Sequence, residues 1–196
     1  MNYLAHIFLS NDNENIAIGN FIADAIKGKQ YLNYPKEIQE GILLHRAIDS
    51  YTDEHVEFKK SKQKLYQSYR HYSGVIVDIF YDHFLAKHWN RFHKTDLLEY
   101  TLNFYELLKR KKHLLPEKII YMMPFIIEQN WLYNYRHLEG IESVLIGMNR
   151  RTQGKSNMHL SIKELNEHYN SFENEFFIFF KDVHLYSKEI LKNSSK

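Results

Sequence analysis

Seven side chains capable of metal or proton chemistry interrupt segments that are otherwise apolar: His6, Asp24, His45, Asp49, Asp78, Asp82 and His83. His45 and Asp49 lie four apart, with Asp53 four further on, and residues at that spacing share a helix face. Leu44, Ala47, Ile48 and Tyr51 form an apolar stripe beside them, which places an imidazole and a carboxylate at the edge of a core. Groups placed there must be paired, hydrogen-bonded or bound to a metal. A His–Asp hydrogen bond closing a helix packing accounts for any single pair. Four separate polar interruptions are harder to account for that way, because uncompensated buried carboxylates repel one another and lose solvation. A divalent cation resolves both problems. Imidazole and carboxylate donors without thiolate suit Mn, Fe, Zn or Mg and do not choose among them.

The elements that must carry these groups read as helices. Phe21, Ile22, Ala25 and Ile26 fall at helical spacing over 16–27, with Asn15 as N-cap, Asp24 inside and Gly28 as the stop. Pro35 and Glu37 open a helix that runs to about residue 53. Residues 55–72 carry Lys59, Lys60, Lys62 and Lys64 ahead of Leu65, Tyr66, Tyr69 and Tyr72, the pattern of a solvated face with a packed aromatic side. Residues 75–92 are apolar nearly all round, as in a buried helix. Asp96 with Glu99 and Ser161 with Glu164 resemble capping boxes, the second opening one long final helix. The expectation is an all-α single domain over residues 1–196 with about eight or nine helices.

Composition narrows the classes. Seven Gly and three Pro in 196 residues do not supply the turns of an all-β protein. A net charge of +2 makes no case for nucleic acid. No stretch has the length of a membrane span, and the N-terminus lacks the basic region of a signal peptide. The absence of cysteine fits a cytoplasmic protein. There is no glycine-rich phosphate loop, no G-x-S-x-G elbow and no H-E-x-x-H zinc motif.

The chain resembles the acyl carrier protein phosphodiesterases. The resemblance is carried by Asn2-Tyr3-Leu4-Ala5-His6, by Gly19-Asn20-Phe21-Ile22-Ala23-Asp24 with Lys27-Gly28, and by Gly41 through His45-Arg46 to Asp49 and Asp53. Asp78 through Leu85 with Trp89, Trp131-Leu132 with Tyr135-Arg136, and Gly147-Met148 with Arg150-Arg151 extend it to about residue 180. The family looks like a divergent branch of the all-helical HD-type metal phosphohydrolases, although Asp82-His83 stands in the reverse order of the HD dyad. The resemblance implies hydrolysis of the phosphodiester that joins 4′-phosphopantetheine to a serine of acyl carrier protein, with manganese as the favoured ion.

On that resemblance, Asp24, His45 and Asp78 are the expected metal ligands, with His6 next. Asp49 either orients His45 or ligates directly. His83 is the expected acid for the leaving alkoxide, with Asp82 nearby. Arg46 and Lys27 are candidates for phosphate oxygens. Arg150 and Arg151, followed by Lys155, are candidates for docking an acidic carrier protein. Two other readings use the same residues: a phosphohydrolase of small nucleotides or phosphate esters, and a helical binding module whose polar groups are structural.

Overall fold

A computed structural model describes residues 2–194, which form eleven α-helices and no strand. These are α1 (Tyr3–Phe8), α2 (Glu14–Ile22), α3 (Lys36–Glu54), α4 (Val56–Tyr69), α5 (Ser73–Lys87) and α6 (Leu97–Arg110). They continue with α7 (Glu117–Glu128), α8 (Trp131–Asn134), α9 (Leu138–Arg151), α10 (Ile162–Glu167) and α11 (Tyr169–Ser194). The all-α expectation holds, and the larger count comes from the short helices α8 and α10.

α5 is the central element. Ile76, Val77, Phe80, Tyr81, Phe84 and Leu85 are all inaccessible, and from Ile79 to Ala86 its whole circumference is covered, while Val75 and Asp78 in its first turns are left partly open. Phe172, Phe176 and Phe179 of α11 pack against it, with Phe80–Phe172 and Tyr81–Phe176 meeting edge-on at 5.3 and 5.6 Å. Aromatic edge-to-face contacts of this kind add to the stabilisation from area burial.

α2 and α3 approach so closely that glycine is required on both sides. A Cβ on Gly19 would lie 2.2 Å from the Ile38 carbonyl oxygen, and one on Gly41 would lie 2.2 Å from that of Ile16. This crossing places the C-terminal end of α2 against the middle of α3, where His45 sits.

Several local expectations are corrected. Asn13, rather than Asn15, caps α2 by accepting from the Asn15 and Ile16 amides. Asn15 instead donates to Glu37. Asp24 lies in a 3₁₀ turn, Ala23–Ala25, beyond the end of α2. Asp96 caps α6 as expected, accepting from the Leu98 amide at 2.8 Å. Ser161 makes no cap: its hydroxyl donates to the Met158 carbonyl, and the final helix is divided at His168 into α10 and α11.

Candidate metal centre and its cavity

Three elements bring the site together. α1 supplies His6, the turn after α2 supplies Asp24, and α3 supplies His45 and Asp49. The His6 and His45 rings stack with centroids 3.9 Å apart and an interplanar angle of 19°. Both present Nε2 to Asp49, at 3.2 Å for His6 and 3.1 Å for His45. Asp24 adds a second carboxylate 3.3 Å from His45 Nε2. Ligand atoms of His6, His45 and Asp49 all lie within 4.8 Å of one another, a spacing that one cation can bridge.

The tautomer of His45 follows from its other nitrogen. Nδ1 lies 2.9 Å from the Asn20 carbonyl oxygen, which only accepts, so Nδ1 carries the proton and donates. Nε2 then faces the carboxylates, where it holds a proton or, in its place, a metal, the arrangement of a metal-ligating histidine with an oriented outer partner. Asn20 is itself held by donating to the His6 carbonyl at 2.7 Å, which ties α1 to the same point.

Without a cation the carboxylates compete for protons on the rings. Burial opposes charging His45, but its hydrogen bonds to Asp24 and Asp49 prevail and raise it to about 9. Burial and the neighbouring His45 charge lower His6 to about 4. The hydrogen bond to His45 lowers Asp24, and burial of Asp49 is outweighed by its bonds to both imidazoles, which lower it. Both carboxylates are thus anionic and His6 neutral at physiological pH, and a cation would replace the proton on His45. The donor set fits a divalent ion with nitrogen and oxygen ligands.

The cluster lies on the wall of a cavity of about 1010 Å³. Asp24, His45, Asp49, Asp53 and Asp78 line one part. Val75, Ile79, Met122, Trp131, Val144 and Met148 provide apolar walls, and Lys62, Arg70, His71, Lys118 and Arg151 bring basic groups.

A family model described as acyl carrier protein phosphodiesterase matches residues 1–183. The chain belongs to this family. A curated acyl carrier protein phosphodiesterase of Escherichia coli O6:H1 is 30% identical over 181 residues, covering 92% of this chain and 94% of the relative. One from Klebsiella pneumoniae is 30% identical over 186 residues, covering 93% and 95%. One from Photorhabdus laumondii is 31% identical over 181 residues, covering 92% and 91%. No solved structure matches the chain significantly.

Within this acyl carrier protein phosphodiesterase fold, the expected site residues separate into three groups. His6, Asp24, His45 and Asp49 converge. Asp78 lines the same cavity but stands outside the three-ligand cluster, and burial raises its carboxyl. Of the remaining candidates, Arg151 lines the cavity and the others lie off it. Arg46 donates to the Ile26 and Gly28 carbonyls and lies over the Tyr31 ring, bracing the loop after α2. Lys27 is exposed and, like Arg46 and Arg150, lies off the cavity lining, whereas Arg151 is part of it.

Asp82 and His83 do not enter the cavity, which corrects the expectation of a nearby acid. Neighbours on a helix diverge by about 100°. Asp82 turns to α1 and accepts from the Leu4 and Ala5 amides at 2.8 and 3.2 Å, while burial pushes it up to about 7. It therefore anchors the helix that carries His6. His83 turns the other way: Nδ1 donates to the Tyr135 carbonyl at 2.8 Å, and Nε2 accepts from the Tyr169 hydroxyl at 2.7 Å.

That environment gives His83 a definite pH signature. Burial lowers it to about 4, so between roughly pH 6.5 and 4 the unfolded chain binds a proton that the folded chain refuses. Its contribution to stability is intact above the ordinary histidine pKa and is lost as pH falls through that window, by about 3 kcal/mol at most. His83→Asn retains a donor for Tyr135 without a titrating ring. Chemical denaturation from pH 7 to 4 should show a smaller loss for the variant than for the wild type; equal losses would place the acid sensitivity in other groups.

The basic lining residues Lys62, Arg70, His71 and Lys118 were not singled out as site residues by sequence reasoning. Lys62 lies 3.7 Å from Asp53, and its stem packs over Gly74, where a Cβ would approach Lys62 Cδ at 4.0 Å. A lysine run on an amphipathic helix reads as solvated surface, and only the α4–α5 corner shows that one member faces a cavity.

Proposed function

We propose that this chain hydrolyses the phosphodiester joining 4′-phosphopantetheine to the serine of an acyl carrier protein, releasing the apo carrier. The observation that carries this reading is the stacked His6–His45 pair joined through Asp49 at the wall of a large mixed cavity, in a chain whose family is named for that carrier. His6, His45 and Asp49 are the ligands we assign to a divalent cation, manganese on the family resemblance, with Asp24 as an additional carboxylate at the open edge. Such an ion supplies a Lewis acid for a phosphoryl oxygen.

The chain's own residues do the rest. Arg151 and Lys62 offer cationic partners to the non-bridging oxygens. The apolar wall from Ile79, Met122 and Val144 accommodates the carbon chain of the pantetheine arm. Gln129, Asn134 and Ser143 on the same lining offer hydrogen bonds to its two amides. With His83 turned away, His71 is the cavity imidazole we assign to protonate the leaving alkoxide.

Incubation with holo carrier protein and Mn²⁺, followed by mass spectrometry of the carrier, tests the reading. The expected result is a mass loss equal to phosphopantetheine, abolished by a chelator and restored by the ion. Unchanged holo carrier alongside hydrolysis of a nucleotide or small phosphate ester would transfer the site to that substrate class.

A further inference from the structure

Arg70 combines three features that do not normally coincide. Its backbone has φ 51° and ψ −125°, a region that L side chains rarely adopt, at the junction where α4 ends. Its side chain lines the cavity. Among the described residues its guanidinium has no carboxylate partner, and its recorded side-chain contact is the Tyr66 ring at 5.8 Å. Arg46 is held by two carbonyls, Arg110 by Glu14 and Arg136 by the Tyr133 hydroxyl; Arg91, over the Phe177 ring, and Arg150 lie off the cavity lining, and Arg151 meets the Met148 sulfur.

Of the other non-glycine residues with positive φ, Asn11, Asp12, Asn130 and Asn157 are types that tolerate it, and Gln153 lies in the exposed turn after α9, off the cavity lining. An arginine does not relieve the strain, and glycine would. The surrounding turn enforces the conformation, since the Ser73 hydroxyl donates to the Arg70 carbonyl at 2.7 Å and the Arg70 amide donates to the Tyr66 carbonyl. Strain held at a cavity wall points to a side chain that must be presented there.

We infer that Arg70 binds a carboxylate on the surface of the carrier protein, seated over the cavity mouth; this rests on the proposed function. The guanidinium is exposed, so its site of action is the rim, away from the buried His6–His45 stack. With no carboxylate partner among the described residues, the Arg70 guanidinium gives that rim a positive charge, complementary to a carboxylate on the partner. A planar fork with five donors is suited to a carboxylate, and stacking beside Tyr66 limits the directions it can take.

The test uses the full chain with Mn²⁺ and apo carrier protein, which has the carrier surface but no phosphodiester. Arg70→Gly relieves the strain and removes the charge. It should raise Tm by a few degrees, leave metal content unchanged and weaken apo-carrier binding roughly 10-fold at low salt, with the gap narrowing at high salt. Arg70→Gln keeps the backbone demand without the charge and should show the same weakening with no gain in Tm, so the inference stays testable if the glycine variant folds poorly.

Apo-carrier affinity unchanged in both variants, from a wild type that binds and cleaves the holo form, would overturn the role of Arg70 alone. Weaker binding of inorganic phosphate with apo-carrier affinity intact would overturn it in favour of a phosphate contact. A wild type that does not cleave holo carrier would overturn the functional reading, and this inference with it.

Discussion

His45→Ala and Asp49→Ala should each remove tightly bound divalent metal and reduce turnover on the order of 1,000-fold or more, while far-ultraviolet circular dichroism stays helical. Lewis-acid stabilisation supplies several kcal/mol to a phosphoryl-transfer barrier, and about 1.4 kcal/mol corresponds to a factor of ten. His45 is central to the loss because its Nε2 faces both Asp24 and Asp49 while Asn20 holds Nδ1. Asp49 is central because it contacts both Nε2 atoms. Asp24→Ala should be milder, with metal affinity down by roughly 10–100-fold, since its side chain is 65% exposed and, among the described residues, pairs with His45 alone. Metal analysis by mass spectrometry and isothermal titration with Mn²⁺ give readouts independent of activity. Full activity of the wild type in excess chelator would remove the metal centre from the reaction. A fall for Asp24→Ala as deep as that for Asp49→Ala would make Asp24 a full ligand.

The sequence carried the fold well because apolar periodicity acts locally. A chain whose buried positions recur at helical spacing has few alternatives: α3 begins and ends close to where the pattern places it, and α5 and α6 begin there but end earlier, at Lys87 and Arg110. The site residues His6, Asp24, His45 and Asp49 were visible as polar groups in apolar settings, since a buried charge or imidazole requires a partner whatever the fold. Which of them meet was not visible. Asp78 and Asp82 belong to the same helix and interrupt equally apolar surroundings. Yet Asp78 faces the cavity while Asp82 turns to the α1 amides, and only the placement of α1 against α5 decides that. The adjacent pair Asp82-His83 was drawn toward catalysis by its likeness to a dyad, whereas helical geometry sends its members to different neighbours. Arg70 and Lys62 were hidden for the opposite reason: they sit in a segment that resembles ordinary solvated surface, and neither backbone strain nor cavity lining leaves a mark on composition.

Gly41→Ala should damage stability and metal binding together. The added Cβ would stand 2.2 Å from the Ile16 carbonyl oxygen and 2.9 Å from both the Asn20 amide nitrogen and the Gly19 Cα. All three are backbone atoms, so no rotamer change relieves the overlap and α2 must move away from α3. Overpacking of a rigid contact costs about 3 kcal/mol or more, which in a domain of this size lowers Tm by roughly 10 °C. Asn20 lies on the displaced segment, and its carbonyl is the group that orients His45. Metal affinity should therefore fall even in the fraction that remains folded. Gly147→Ala is the matched control: its Cβ would meet nothing within 4 Å, and alanine favours the interior of α9, so Tm should hold or rise. Thermal unfolding of both variants, with Mn²⁺ titration below the transition, separates the two effects. A Gly41→Ala protein with wild-type Tm would mean that the α2–α3 crossing is looser than these distances. One that is destabilised yet binds Mn²⁺ normally would mean that the Asn20–His45 contact does not depend on the crossing.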